Sequence, residues 1–170
     1  MIKRETLYPL IRKHRILFSI LGMLFLIILF LALTSSYEKT FSKSIVIKKP
    51  RLQVFHAFFS QEHLLSWFQN AKSVTIDDKL YIGSKVIFHF EREDISFEII
   101  DLVEPELVKW KNFNSTQKFE FRENAIGTVV HFKVFMRGSI AYLFQLINKN
   151  KIDERLSESL MTLKNAVEKY

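Results

Sequence analysis

The sequence predicts an α+β fold in which a curved antiparallel sheet of six or seven strands packs around a long C-terminal helix. From Ser44 to Arg137, short segments alternate apolar and polar residues, as the strands of an antiparallel sheet with one buried face do. From Ile152 to Tyr170, apolar residues recur every three or four positions, which places one apolar stripe along a helix. Because each of these surfaces has to be buried, we expect the sheet and the helix to cover one another.

An uncharged apolar segment, Ile16 to Leu33, precedes this domain. At about 1.5 Å per residue a helix of this length spans about 27 Å, close to the thickness of the hydrocarbon core of a bilayer. We interpret residues 16–34 as a transmembrane helix whose partner is the lipid bilayer. A cleaved secretory signal is the alternative, but the apolar cores of such signals are usually shorter.

Charge is distributed unevenly along the chain. Residues 1–15 form a basic tail, which favours a cytoplasmic tail and a domain on the opposite, extracytoplasmic side of the membrane. Basic residues also follow the span, so the sequence leaves the side open. The rest of the chain carries nearly balanced charge, which argues against a nucleic acid partner.

The domain elements follow in order. Residues 35–42 are interpreted as a polar linker, and residues 43–170 as a single domain. A β-branched strand over 42–49 ends at Pro50, and two short helices over 51–59 and 61–68 are separated at Ser60, a suitable N-cap. The remaining strands are predicted at 71–76, 85–92, 94–103, 106–113, 116–124 and 125–138.

Strand alternation divides the side chains of the sheet between two faces. One face is predicted to be apolar and to point towards the C-terminal helix, and the other is charged and solvated. The residues that define the apolar face are Val86, Phe88, Phe90, Phe97, Ile99, Val108, Trp110, Phe119, Phe121, Val130, Phe132, Val134 and Met136.

The order of elements resembles the START-like or SRPBCC superfamily, which includes polyketide cyclase-like and heat-shock-ATPase-activator-like domains. The resemblance covers about residues 42–170 and is carried by four stretches of the sequence: IVIKKPRLQVFHAFFSQEHLLSWF, VEPELVKW, ENAIGTVVHF and LMTLKNAVE. It implies a helix-grip fold with an apolar cavity between the sheet and the last helix. It carries no shared catalytic signature.

These observations favour a membrane-anchored, non-catalytic domain that binds an apolar, lipid-derived small molecule in that cavity. No cofactor is expected, and no protein partner can be identified. The predicted cavity wall consists of Phe88, Phe90, Phe97, Ile99, Trp110, Phe119, Phe121, Phe132, Val134, Met136, Leu156 and Leu160. Two alternatives stay open: a protein-interaction module of the heat-shock-ATPase-activator type, whose core would be solid, and a polyketide cyclase-like enzyme, which would need an ionisable side chain in the cavity.

The apolar segment 139–147 is the predicted edge of that cavity. It is either the buried start of the last helix or a cover over the cavity mouth, and Leu143 and Phe144 are the residues placed at the mouth. Asn148 to Asn150 would then form its hinge. A surface that enters the nearby bilayer interface is a further interpretation of the same residues.

Other candidate sites are weaker. His56 and His63 lack a third ligand at a suitable spacing, and the acidic residues at 77–78 and 91–94 lack a calcium-loop motif, so no metal site is predicted. The chain contains no cysteine, which excludes disulfides and thiolate chemistry.

Overall fold

The computed structural model describes residues 4–67, 71–77 and 79–169. The basic side chains of the tail, the side chain of Trp67, Phe68 and Asp78 therefore lie outside the described part. The elements, in chain order, are α1 Arg4–Thr34, β1 Glu38–Ile47, α2 Arg51–Phe58, α3 Gln61–Trp67, β2 Ser73–Ile76, β3 Lys85–His89, β4 Asp94–Val103, β5 Leu107–Lys111, β6 Ser115–Asn124, β7 Gly127–Arg137 and α4 Gly138–Glu168.

The seven strands form one antiparallel sheet in the order β1-β7-β6-β5-β4-β3-β2. Strands β2 to β7 follow one another as hairpins, and β1 joins the far edge beside β7. The two short helices and α4 supply residues to one apolar core with the sheet. The predicted α+β helix-grip class is confirmed, with its N-terminal apolar helix.

The two ends of the sheet have different neighbours. At the end that we call the anchor end, β1 begins shortly after α1, and β7 runs directly into α4. We call the opposite end the distal end. There β1 leads into α2, and there α4 terminates. The Lys48 N–H donates a hydrogen bond of 2.8 Å to Glu168 Oε1 at this end. The helix α4 thus runs from the anchor end to the distal end.

Two boundaries differ from the prediction. The strand β1 starts at Glu38, inside the segment interpreted as a linker, because residues 38–42 pair with residues 133–137 of β7. The outward side chains of this edge strand are solvated and polar, so its composition is similar to that of a polar linker. The helix α4 runs without a break from Gly138 to Glu168, through the predicted hinge at 148–150. Residues 139–168 contain neither glycine nor proline, so nothing in the sequence interrupts the helix there.

Side chains and glycine stabilise two of the turns, and at the first of them the predicted N-cap Ser60 is confirmed. Ser60 Oγ accepts a hydrogen bond of 3.3 Å from the His63 N–H, as an N-cap of α3 does. At the β6–β7 turn, Asn124 Oδ1 accepts a hydrogen bond of 3.0 Å from the Ile126 N–H, and Gly127 has a φ of 148°.

Candidate functional site

The inner face of the sheet is the apolar face that alternation predicts. All residues of the predicted cavity wall are buried except Phe90, which is half-buried. Leu156 and Leu160 lie on α4 and are buried with them. The space between this face and α4, which we call the grip, is therefore bounded by the predicted residues.

Aromatic rings fill the grip from the distal end as far as Trp110, which is level with Gln117 and Val134 in the sheet. Phe58 of α2 is fully buried, and its ring centroid lies 4.7 Å from that of Phe119 and 5.5 Å from that of Trp110. Phe55 packs edge-on against Phe121 at 5.3 Å. Such ring pairs add to the stabilisation from burying apolar area. The closed end of the grip is thus a packed core supplied by α2 and the sheet.

Towards the anchor end the inner face becomes more accessible. Along β7, Val130 has no exposed surface, Phe132 keeps 5% and Met136 keeps 8% of its surface exposed. On β6, Phe119 is fully buried, whereas Gln117 is half-buried. On both strands the inner-face residues nearer the anchor end keep slightly more exposed surface than those beside α2, although Phe132, Val134 and Met136 remain buried.

The inner face also carries two polar side chains that were not predicted to lie there. Lys43 of β1 is the Cα partner of Phe132, and Gln117 of β6 is the partner of Val134, so both lie on the inward side of the sheet. Gln117 Oε1 accepts a hydrogen bond of 2.9 Å from Trp110 Nε1. A face assignment for β1, by the alternation that buries Phe41 and Ile47, would have revealed Lys43.

The bulge in β4 does not bring an acidic group into the grip. The register shifts between Ile99 and Asp101, after which Leu102 is the partner of the buried Val108. Asp101 is the partner of Lys109 on the outward side. A bulge of this kind is the irregularity that could have placed a catalytic carboxylate inside, and here it places a leucine there.

The two histidines considered as metal ligands, His56 and His63, have structural partners. His56 Nε2 lies 2.9 Å from Glu104 Oε1 on the surface, and His63 Nδ1 lies 2.7 Å from the carbonyl oxygen of Ala57. Within the described residues, no group of three or more His, Asp or Glu side chains is arranged to hold a metal ion.

The strongest electrostatic cluster lies on the outer face. The Glu120 carboxylate is 2.5 Å from Lys118 Nζ, 3.1 Å from Arg122 and 3.8 Å from Lys133. The hydrogen bond from Lys118, together with the three positive charges, lowers the pKa of Glu120 below its ordinary value, although partial burial opposes the shift. The carboxylate therefore stays ionised at neutral pH and is not suited to act as a general acid.

Two open grooves lie outside the grip. One, of about 320 Å³, is lined by Ile16, Ser19, Ile20 and Met23 on a single side of α1. The other, of about 300 Å³, lies beside the β6–β7 turn and is lined by residues that include Lys48, Glu123 and Gly127. Neither is lined by the predicted cavity-wall residues.

The predicted mouth residues lie on the first turns of α4, at the anchor end. Leu143 and Phe144 are 42% and 39% exposed, whereas Leu156, Leu160 and Leu163 further along the helix are buried. The division of α4 into an exposed apolar start and a buried distal stripe is thus present in the structure.

Solved structures share this fold at low sequence identity. A protein of unknown function from Staphylococcus aureus superposes with a TM-score of 0.65 at 17% identity, over 78% of this chain and 95% of that one. The Aha1 dimer from Colwellia psychrerythraea gives 0.58 at 18% identity, over 76% and 96% of the two chains. A polyketide cyclase-like protein from Corynebacterium glutamicum gives 0.54 at 17% identity, over 78% and 93%.

The sequence itself also identifies the family. No curated protein matches the chain. The family profile described as activator of Hsp90 ATPase homolog 1-like protein matches residues 48–168, which is most of the chain and nearly all of the grip domain. The START-like resemblance is therefore confirmed, and the chain belongs to the activator of Hsp90 ATPase homolog 1-like family of the SRPBCC superfamily.

Proposed function

We propose that this chain is a membrane-anchored, non-catalytic domain that binds an apolar, lipid-derived molecule at the anchor end of the grip. The observation that carries the proposal is the gradient of accessibility along the inner face. Along β7 the exposed fraction of the inward side chains rises from 0% at Val130 to 8% at Met136. A ligand would therefore contact Val134 and Met136, and Phe132 at the edge of the aromatic core, where its ring stacks on that of Phe119 at 4.2 Å.

The polar residues at this end define the chemistry of the ligand. Lys43 and Gln117 stand beside apolar side chains on the inner face, so the site suits an amphiphile with an apolar chain and a polar or anionic end. The apolar part gains about 25 cal/mol for each Å² removed from water, and the polar end keeps hydrogen-bonding partners.

The anchor is the second part of the proposal. The α1 segment Ile16–Thr34 has a mean hydropathy of 3.1, and all of its residues except Phe30 and Thr34 at its end are exposed. An apolar helix with no protein cover is stable when lipid covers it. With the basic tail on the cytoplasmic side, the grip domain lies on the opposite side of the membrane.

Lipid extraction tests ligand binding. We expect the full chain, purified from cells in mild detergent and extracted for mass spectrometry, to release a specific amphiphile. The variant Lys43→Glu is expected to lose it, because the new carboxylate faces the grip. Ser42→Glu is the matched control, since Ser42 is exposed on the outer side of the same strand.

The control also accounts for bilayer lipids that surround α1, because these accompany both variants equally. Identical lipid profiles for the wild type, Lys43→Glu and Ser42→Glu would contradict binding in the grip.

A protein-interaction module is the second candidate. The solid aromatic packing around Phe58 favours it, since a domain that acts through its surface requires no cavity. In this case the domain would face the cytoplasm. Reporter fusions at each end of the chain separate the two candidates: a cytoplasmic C-terminal reporter supports the interaction module, and an extracytoplasmic one supports the ligand-binding domain.

A further inference from the structure

We propose that the start of α4 and the side chain of Phe113 form a membrane-docking surface that lies in the interface of the bilayer spanned by α1. We define this docking surface as Ile140, Leu143, Phe144, Leu146, Ile147 and Phe113. Its occupant is the lipid bilayer. The inference rests on the proposed anchoring through α1 and adds a second, peripheral contact between the domain and the membrane.

The α4 part of the docking surface is a cluster of exposed apolar side chains. Leu146 and Ile147 are 65% and 72% exposed, and Ile140, Leu143 and Phe144 are each about 40% exposed. The five residues fall within two turns of one helix, and the segment Gly138–Ile147 is apolar as a whole. Contiguous exposed apolar patches mark contacts with another surface, whereas scattered single residues do not.

Contacts between α4 and α1 indicate that the surface facing this apolar cluster is lipid. Thr34 Oγ1 and Ser139 Oγ share a hydrogen bond of 2.5 Å, and the ring of Phe30 lies 5.9 Å from that of Tyr142. Both Phe30 and Thr34 belong to the last turns of the predicted span. The first turns of α4 are therefore level with the point where α1 leaves the bilayer.

A tyrosine network holds this arrangement. Tyr142 packs edge-on against Tyr37 at 5.5 Å, and the Tyr37 hydroxyl donates a hydrogen bond to Gln145 Oε1. The Gly138 N–H donates to the carbonyl oxygen of Tyr37 at 2.8 Å. Tyrosine is enriched at membrane–water interfaces, because its ring is apolar and its hydroxyl is polar. These contacts bind the start of α4 to the exit of α1.

Phe113 places a second apolar contact at the same end of the domain. It is 99% exposed and lies in the turn between β5 and β6. The first residue of β6, Ser115, is the partner of Met136, which precedes α4 by only two residues. The tip of this hairpin is thus at the anchor end, whereas the exposed Ile126 of the β6–β7 turn is at the distal end.

Docking determines how a ligand reaches the grip. The part of the inner face proposed to hold the ligand is also at the anchor end, where Met136 and Lys39 lie. In a docked domain this end of the grip lies next to lipid. An amphiphile then passes between the bilayer and the grip without crossing bulk water.

The absence of cysteine makes the docking surface directly testable, because each single-cysteine variant carries one label. We would attach an environment-sensitive fluorophore to Leu146→Cys and Phe113→Cys in the full chain. The protein would be reconstituted into vesicles of phosphatidylcholine and phosphatidylglycerol that contain phosphatidylcholine spin-labelled near the top of its acyl chain. An interfacial helix buries its apolar face about 5–10 Å into the headgroup region, so we expect quenching at both sites to be at least about twofold stronger than at the controls.

Matched controls lie at the distal end. The controls are Met161→Cys and Ile126→Cys. Met161 is 51% exposed on the same helix α4, and Ile126 is 64% exposed on the opposite hairpin tip. All four positions are exposed, so these substitutions leave the core unchanged. Equal quenching at all four sites, or no quenching at Leu146→Cys and Phe113→Cys, would overturn the docking surface.

Flotation of the same vesicles separates this inference from the proposed anchor. Protein that floats with the vesicles after an alkaline carbonate wash is anchored. Weak quenching in that sample refutes the docking surface but not the anchor. Protein that does not float refutes the anchor, and the docking surface with it.

Discussion

Replacing Phe58 with alanine is expected to lower the free energy of unfolding by about 3–5 kcal/mol. The side chain is fully buried at the distal end of the grip, and its ring contacts Trp110, Phe119 and Phe121. Truncation removes its transfer free energy and leaves a cavity that three rigid rings cannot collapse to fill. Urea unfolding of the full chain in mild detergent, followed by tryptophan fluorescence, measures the loss.

The same helix supplies a control for the Phe58 prediction. Leu52 is 51% exposed on α2, and Leu52→Ala is expected to change the free energy of unfolding by at most about 0.5 kcal/mol. If Phe58→Ala leaves too little folded protein, Phe58→Leu keeps most of the apolar volume and is expected to cost less than about 2 kcal/mol. A loss below about 1 kcal/mol for Phe58→Ala would show that the distal end is not packed as described.

Gly127→Ala is expected to lower the free energy of unfolding by about 2–4 kcal/mol, which is the second large effect expected of a single substitution. Gly127 has a φ of 148°, and a Cβ at this position would lie 2.2 Å from the carbonyl oxygen of Ile47 and 2.9 Å from Lys48 Cα. Both obstacles are backbone atoms, so the end of β1 must move away from β7. Urea unfolding measures the loss, and hydrogen exchange should locate it in the pairing of Ile47 with Thr128.

Gly138→Ala separates steric conflict from backbone conformation. Gly138 also has a positive φ, 73°, but a Cβ there would meet no atom within 4 Å. Only the left-handed conformation is unfavourable for alanine, so a cost of about 1–2 kcal/mol is expected. Equal losses for the two variants would contradict a close approach of β1 to Gly127.

The faces of the sheet could be predicted from the sequence because strand periodicity is insensitive to errors at strand ends. Phe88, Trp110 and Phe132 are assigned to the buried side whichever residue begins each strand. The edge strand β1 was harder, since only its inward positions are covered and its exposed positions are polar. Its first residues therefore resembled a linker, and Lys43 was not assigned to the inner face.

The state of the grip could not be predicted from composition. Many phenylalanines are compatible with a filled core and with a lined cavity, because each fills volume and each can coat a wall. The choice depends on where α2 directs Phe55 and Phe58, which is a matter of tertiary packing. The contact between α1 and α4 was likewise not predictable, since Thr34 and Ser139 are far apart in sequence.

Photocrosslinking tests the central claim, that an amphiphile occupies the anchor end of the grip, most directly. The full chain would be reconstituted with a phosphatidylcholine that carries a diazirine in its acyl chain, illuminated, and mapped by peptide mass spectrometry. Adducts on the inward side chains of β7, at Phe132, Val134 or Met136, are the predicted result, in addition to adducts on α1. Adducts confined to α1 and to exposed side chains, with none on the inner face, would contradict the account.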